Sequence, residues 1–236
     1  MSPEVRDFAD PLEGLEAQLT RLRGLIGIVP PLIEADRDRR WNEINSRPSD
    51  GEDGDTIDIF GEEAGFGEEG GFAEFNRTIY ESAIVFGWAI FHDFLVQELK
   101  HNFLNFDLSE HPSLQILVEE DVRNWDRRFD RVRDRFRDFA DIRLAELESW
   151  QMVLHAQALR NALVHNQGLY TRSYLNAPLA YRPTKEDLQG FEPPTDEARL
   201  IDHEPIPLSL DFTEKVITGL SAAAVEIRDA VENPVR

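Results

Sequence analysis

Leu159-Arg160-Asn161-Ala162-Leu163-Val164-His165-Asn166-Gln167-Gly168 is the stretch on which the fold prediction rests. It closes a longer pattern of apolar side chains at helical spacing. Gly168 is a natural helix stop, because glycine readily takes the left-handed conformation found at many helix ends. The stretch also carries an arginine and a histidine five positions apart. A guanidinium grips phosphate oxygens and an imidazole exchanges protons near neutral pH, so this pair has the chemistry needed to cut a phosphodiester.

The Arg-x4-His core, with Asn161 directly after the arginine and His165-Asn166-x-Gly168 at its exit, resembles the signature of HEPN domains. The resemblance is closest over residues 150–175 and extends, by helix order alone, to a domain at 75–236. It implies an all-α helical bundle. Many such domains are metal-independent endoribonucleases of toxin–antitoxin, abortive-infection or CRISPR-linked systems. The resemblance also implies RNA as the substrate, a homodimer whose motifs meet face to face, and an antitoxin or other protein as a further partner.

The resemblance assigns the catalytic roles to Arg160 and His165. His165 would help to deprotonate the ribose 2′-hydroxyl and to protonate the leaving 5′-oxygen, while Arg160 would hold the phosphate. The products would be 2′,3′-cyclic phosphate and 5′-hydroxyl ends. This reaction uses no metal and no cofactor, and none is predicted.

Helix geometry leaves the meeting of Arg160 and His165 open. A five-residue step places the two residues about 140° apart around a regular helix, whereas Asn161 and His165 share a face. Three arrangements would bring the pair to one phosphate. The arginine side chain sweeps around the helix, the helix loosens at His165, or a second copy completes the site. The resemblance favours the third arrangement, which suits a two-fold interface.

Four residues are predicted to support the pair. Asn161 would orient the histidine or touch RNA, and Asn166 belongs to the same motif. His92 and Asp93 form a polar pair inside an otherwise apolar helical segment, near the place where many HEPN relatives carry an acidic residue. The alternative for His92 and Asp93 is a buried polar contact or an exposed helix edge with no role in the site.

The charge of the chain is strongly unbalanced. Its 46 acidic and 25 basic residues give a net charge of −21, only three of the basic residues are lysines, and cysteine is absent. The composition indicates a GC-rich genome and leaves a salt-adapted halophile as an open alternative. Without cysteine there is no disulfide framework and no zinc–thiolate site. The negative charge argues against broad binding to nucleic acid but leaves room for a small cationic site.

No segment has the pattern of a signal peptide, and the longest apolar runs, residues 25–33 and 83–91, are too short to span a bilayer. We therefore expect a cytoplasmic protein with no membrane partner.

The sequence predicts three parts. Residues 1–47 form an N-terminal helical appendage, in which Pro30-Pro31 should divide the helix in two or kink it sharply. Residues 48–74 form an acidic, glycine-rich flexible loop or linker whose spacing does not fit a calcium-binding EF-hand. An alternative is that its apolar residues dock the acidic strip over a cationic site as a self-inhibitor. Residues 75–236 form the HEPN-like helical domain.

Within residues 75–236 the apolar patterns predict four helices. A central helix covers residues 75–104, and a second helix with one apolar seam covers 114–139. The arginines of the second helix are expected to pair with its aspartates, as in Asp130/Arg133 and Asp134/Arg137, rather than to form a nucleic-acid surface. The motif helix runs over 141–164. Residues 177–207 read mostly as loop, and a last helix covers 211–231.

Three functions remain open at this level. The first is an endoribonuclease of a defence or toxin system. The second is a non-catalytic HEPN-type module that binds nucleotide, RNA or protein. The third is an acidic helical interaction protein in which the arginine and histidine are incidental.

Overall fold

The computed structural model describes residues 10–46, 68–103, 116, 120–121, 128–176 and 205–233. Its helices are α1 (Pro11–Asn45), α2 (Glu68–Phe103), α3 (Phe129–Ala140), α4 (Trp150–His165), α5 (Arg172–Leu175) and α6 (Leu210–Glu232). A 3₁₀ turn at Leu144–Glu146 precedes α4. Within these ranges the chain forms no β-strand, and its one isolated β-bridge joins Leu169 to Pro205. The predicted all-α class is confirmed for this part of the chain.

Helix α2 is the central element of the bundle, as its apolar sequence predicts. It contacts α1, α3, α4 and α6, and α6 in turn contacts α1 and α4. Its core side chains include Phe91, Leu95 and Leu99, all fully buried. By length and composition, the segment Phe75–Asn102 of α2 could also cross a membrane, a test that the core helix of a soluble protein passes as well. The cytoplasmic location stays a prediction.

Helix α1 decides one of the two alternatives for Pro30-Pro31: the N-terminal segment is not divided into two helices, and a sharp kink at the prolines stays a prediction. It runs through both prolines as a single helix. Each proline removes a backbone hydrogen bond, but packing of α1 against α2 and α6 compensates. Leu19 and Ile26 lie in the same hydrophobic core as the rest of the bundle, and Pro30 itself is buried. The domain boundaries at residues 47 and 74 stay predictions.

Helix α2 begins at Glu68, seven residues before the predicted start. The last part of the predicted acidic loop is therefore helical. Residues 68–74 contain no proline, the residue that most strongly interrupts a helix. Residues 47–67, on which the loop, linker and self-inhibitor interpretations mainly depend, lie outside the described residues.

The predicted single helix over 114–139 is wrong at Arg128. That residue has extended backbone (φ −142°, ψ 102°) and directly precedes α3. Ile116, Glu120 and Asp121 are helical, and residues 122–127 lie outside the described part. The predicted apolar seam is confirmed within α3, where Val132 and Phe136 are fully buried.

The arginines of α3 pair with aspartates as expected, but with different partners. Arg133 pairs with Asp134 at 3.1 Å and Arg137 with Asp138 at 3.0 Å. The predicted pairs, Asp130/Arg133 and Asp134/Arg137, do not form. These side chains are exposed, so each pair is worth at most about 1 kcal/mol. The pairing gives α3 a charge-balanced surface rather than a basic one.

The motif helix starts at Trp150 rather than at residue 141. Asp141 is in the left-handed region (φ 55°) and ends α3, and the 3₁₀ turn follows. The N-terminus of α4 is capped from another helix. Glu226 of α6 accepts hydrogen bonds from the backbone amides of Glu148 (2.8 Å) and Ser149 (2.9 Å). Burial acts to raise the pKa of Glu226, but the hydrogen bonds from Ser149 and Glu148 outweigh it and lower that pKa.

A polar cluster joins the start of α1 to the ends of α2 and α6. Glu98 is fully buried, and its carboxylate accepts hydrogen bonds from Nε (2.7 Å) and Nη2 (2.8 Å) of Arg228. Arg228 also donates to both oxygens of Asp10, at 3.0 and 2.7 Å. Asp10 in turn caps α1 by accepting from the amide of Leu12 (2.8 Å). The cluster fixes three chain segments at one end of the bundle.

Hydroxyl side chains cap the last two helices. Helix α5 forms a short helix within residues 170–175, and Thr171 caps it by accepting from the amide of Tyr174. Helix α6 follows Ser209, whose hydroxyl accepts from the amide of Phe212 at 3.1 Å. Ser209 is therefore the N-cap of the last helix. Residues 177–204 of the predicted loop lie outside the described part.

Candidate functional site

Arg160 and His165 meet at the C-terminal end of α4 within a single chain. Nη1 of Arg160 lies 3.1 Å from Nε2 of His165, and the same Nη1 donates to Oδ1 of Asn161 at 3.0 Å. Of the three arrangements that helix geometry allows, the structure has the first, in which the long arginine side chain sweeps around the helix. A second copy is not needed to bring the two groups together.

The contact with Arg160 constrains which ring nitrogen of His165 can accept a hydrogen bond. A guanidinium has hydrogen-bond donors and no acceptor, so Nε2 must be the acceptor in this pair. An imidazole that accepts at Nε2 carries its single proton on Nδ1 and is neutral. A neutral imidazole is the form in which histidine acts as a general base.

The turn after α4 positions His165 as the last helical residue. The amides of Asn166 and Gly168 both donate to the carbonyl oxygen of Ala162, at 3.0 and 3.1 Å. Gln167 (φ 55°) and Gly168 (φ 73°) are both in the left-handed region. The predicted helix stop at Gly168 is thus confirmed, although Gln167 has the same left-handed backbone.

A second arginine, which the sequence did not reveal, holds this turn from α2. Arg77 donates through Nη1 to the carbonyl oxygen of Ile206 (2.9 Å) and through Nη2 to that of Gly168 (3.3 Å). Glu81, one helical turn further along α2, binds Nε of Arg77 at 2.8 Å. The amide of Ile206 also donates to the carbonyl oxygen of Gly168 at 2.8 Å. Together these contacts fix the turn between α2 and the segment before α6.

The same contacts explain why position 168 requires glycine. A Cβ atom there would lie 2.6 Å from Nη2 of Arg77 and 2.9 Å from Oε1 of Glu81. Residues other than glycine also resist the left-handed backbone. The only sequence signal for this arrangement is the glycine itself, because Arg77 is 91 positions away.

Asn161 and Asn166 lie beside the pair as predicted, but Asn161 has a different contact. Its side-chain oxygen binds Arg160, not His165. Nδ2 of Asn166 donates to the backbone oxygen of Asn161 at 3.4 Å. Asn161 therefore orients the arginine, and Asn166 joins the turn to the last turns of the helix.

His92 and Asp93 are not brought to this site. The His92 ring lies 6.1 Å from the Phe129 ring, which stacks on Trp150 at 5.6 Å. Trp150 and His165 are the first and last residues of α4, about 22 Å apart along the helix axis. Asp93 is exposed and accepts from Gln97 at 3.3 Å. Within one copy, Arg77 and Glu81 of α2 lie at the exit of the motif, beside Gly168.

The motif is open to solvent. His165, Asn166 and Gln167 are exposed and Arg160 is half-buried, so a phosphodiester has access to both catalytic candidates. Within the described ranges, no three His, Asp or Glu side chains are grouped in a way that could hold a metal ion. The arrangement can bind one phosphate and exchange one proton beside it.

No protein-family model, no curated protein and no solved structure matches this chain. The likeness to HEPN domains therefore rests on the motif residues alone.

Proposed function

We propose that the chain is a metal-independent endoribonuclease of HEPN type that acts in a toxin–antitoxin or phage-defence system. The observation that carries the proposal is the 3.1 Å contact between Nη1 of Arg160 and Nε2 of an exposed His165. One helix end thus presents a phosphate-binding cation and a base side by side. The exposure of His165 supports the proposal further, because a base must reach its substrate.

The reaction can be written with the groups on this helix end. An RNA phosphate binds Arg160, whose Nη1 turns from His165 to a phosphate oxygen. The lone pair of Nε2 thereby released accepts the proton of the adjacent 2′-hydroxyl. The 2′-oxygen attacks phosphorus, the bond to the 5′-oxygen breaks, and that oxygen takes a proton from an imidazolium or from water. Arg160 stabilises the negative charge that develops on the phosphate oxygens.

The overall charge of the chain limits how RNA would bind. A net charge of −21 repels a polyanion, and the α3 arginines are paired with aspartates. RNA binding would therefore depend on a few local contacts rather than on a broad basic surface. We expect cleavage to persist in salt concentrations that abolish non-specific binding.

The test is cleavage of a synthetic RNA by the purified protein in EDTA, at low and at molar salt. Wild-type protein should yield 2′,3′-cyclic phosphate ends and leave a 2′-deoxy substrate intact. His165→Ala and Arg160→Ala should each lower the rate by about 10²–10⁴-fold. His101→Ala and Arg143→Ala remove exposed residues of the same types elsewhere and should keep full activity. Equal cutting by wild type and His165→Ala, or no cutting by folded wild type, would contradict the proposal.

The second candidate is a non-catalytic HEPN-type module that binds nucleotide or RNA. Arg160 already has two partners within its own helix, Asn161 and His165, so the cluster is satisfied without substrate. Tight RNA or nucleotide binding without cleavage, weakened by Arg160→Ala, would identify this function. If both substitutions lower stability and nothing binds, the chain is an interaction protein in which the motif is structural.

A further inference from the structure

Arg77 of α2 binds both sides of the turn that follows the motif helix. Its Nη2 donates to the carbonyl oxygen of Gly168 at 3.3 Å, and its Nη1 donates to that of Ile206 at 2.9 Å. Its Nε lies 2.8 Å from Oε1 of Glu81. Each guanidinium nitrogen therefore has a partner, which holds the planar group in one orientation. We call Arg77 and Glu81 the α2 clamp.

The turn that the α2 clamp holds has a backbone that needs support. Gln167 and Gly168 are both left-handed, with φ of 55° and 73°. A residue with a Cβ atom adopts this conformation at a cost, and the conformation persists only where surrounding contacts over-determine it. The amides of Asn166 and Gly168 bind the carbonyl oxygen of Ala162 on one side of the turn. The α2 clamp binds the carbonyl oxygen of Gly168 on the other side.

The same turn sets the position of His165. This histidine is the last residue of α4 and lies three positions before Gly168. Its contact with Arg160 spans five positions, so the contact depends on the last turn of the helix keeping its geometry. If the turn opened, the backbone of His165 would move and its Nε2 would leave Nη1 of Arg160. A displacement of about 1 Å at a catalytic group can lower a rate by about 10²-fold.

We propose that the α2 clamp fixes the position of His165 and so sets the turnover of the proposed reaction. Arg77 is the positioning residue, which acts through the turn at Gly168, and Glu81 holds Arg77. Neither residue has to touch RNA for this role. The inference rests on the proposed ribonuclease function, but one part of its test does not require activity. It predicts a loss of turnover rather than of RNA binding, because phosphate binding is assigned to Arg160, whose contact with Asn161 lies earlier in the helix.

Steady-state cleavage of a synthetic RNA by Arg77→Ala tests the effect on turnover. The kcat of the folded variant should fall by about 10–100-fold while KM changes little. Arg77→Lys should recover only part of the loss, because an amine lacks the planar fork that reaches both carbonyl oxygens. Glu81→Ala should lower kcat less than Arg77→Ala does. In the double variant it should add nothing further, because Glu81 acts through Arg77.

Arg228→Ala is the control for a loss of stability alone. It removes the ion pair with Glu98, which lies about 30 Å further along α2 than Arg77 at 1.5 Å per residue. This variant should unfold at a lower urea concentration than wild type but keep the wild-type kcat while it is folded. If folded Arg77→Ala also keeps the wild-type kcat, Arg77 is only structural and the proposal is overturned.

Nuclear magnetic resonance of the His165 ring gives a readout that requires no ribonuclease activity. A neutral ring that accepts from Arg160 at Nε2 carries its proton on Nδ1, and the ¹⁵N chemical shifts of the ring distinguish the two tautomers. Arg77→Ala should shift the population toward the other tautomer, and Arg228→Ala should not. An unchanged tautomer in folded Arg77→Ala would overturn the proposal whether or not the chain cuts RNA. If the tautomer shifts but wild-type protein cuts no RNA, the ribonuclease function fails while the hold of the α2 clamp on His165 stands.

Discussion

Arg228 is the residue whose loss we expect to destabilise the described fold most clearly. Glu98 is fully buried. Its carboxylate accepts three side-chain hydrogen bonds, two from Arg228 and one from Nδ2 of Asn102 at 2.9 Å. Arg228→Ala removes those two bonds and leaves a buried carboxylate without its counter-ion. Breaking a buried pair from one side costs about 3–5 kcal/mol. A domain with about 5–15 kcal/mol of total stability would lose a large share of it.

The assay is urea unfolding followed by helical circular dichroism, with the midpoint and the slope fitted separately. Arg137→Ala, which removes an exposed pair with Asp138, should cost at most about 1 kcal/mol. The double variant Glu98→Leu/Arg228→Met should recover most of the loss, because it removes both charges rather than one. If Arg228→Ala costs no more than Arg137→Ala, or if the double variant is as unstable as Arg228→Ala, the reasoning is refuted.

Three further predictions concern single positions. Gly168→Ala should lower the free energy of unfolding by about 1–3 kcal/mol. The new Cβ would lie 2.6 Å from Nη2 of Arg77, and the backbone at this position is left-handed (φ 73°). A free energy of unfolding equal to that of wild type, measured in urea, would disprove the collision. Gly219→Ala should also destabilise the protein, because its Cβ would lie 2.9 Å from Cε of Met152 and closer still to Cγ. Met152→Ala in the same chain should recover part of that loss if the clash is the cause. The hydrogen bonds from Arg228 lower the pKa of Asp10 from its ordinary value of 3.8 to about 2. Because the pKa of Asp10 is lowered in the folded state, the ionised carboxylate contributes stability above about pH 4, and this contribution is lost as the pH falls toward 2. The difference in free energy of unfolding between wild type and Asp10→Asn should therefore shrink as the pH falls from about 4 to about 2. A difference that stays constant would contradict the lowered pKa of Asp10.

The fold class was predictable from local patterns. The apolar repeats predicted α2, α4 and α6, and Gly168 predicted the end of the motif helix, because helix periodicity and helix ends depend on neighbouring residues. Boundaries that depend on distant residues were missed. Helix α4 starts at Trp150, where Glu226 from α6 binds the preceding amides, and α1 passes through two prolines because its flanks are held by the core.

The candidate site was predictable only in part. The sequence identified Arg160 and His165, and the arginine reaches the histidine because its side chain is long enough to cross the helix surface. Arg77 could not be predicted, because it contacts Gly168 across 91 positions and forms no recognisable motif with it. His92 and Asp93 were misplaced because a polar pair in an apolar helix does not reveal which end of the bundle it faces.

We propose that one chain supplies both Arg160 and His165 to a single catalytic site. Mixing the variants Arg160→Ala and His165→Ala tests it most directly, after denaturing and refolding them together so that mixed oligomers can form. Every chain in the mixture lacks one of the two groups, so RNA cleavage should stay as low as in either variant alone. Recovery of a substantial fraction of wild-type cleavage would show that the arginine of one copy works with the histidine of another, and would contradict the account.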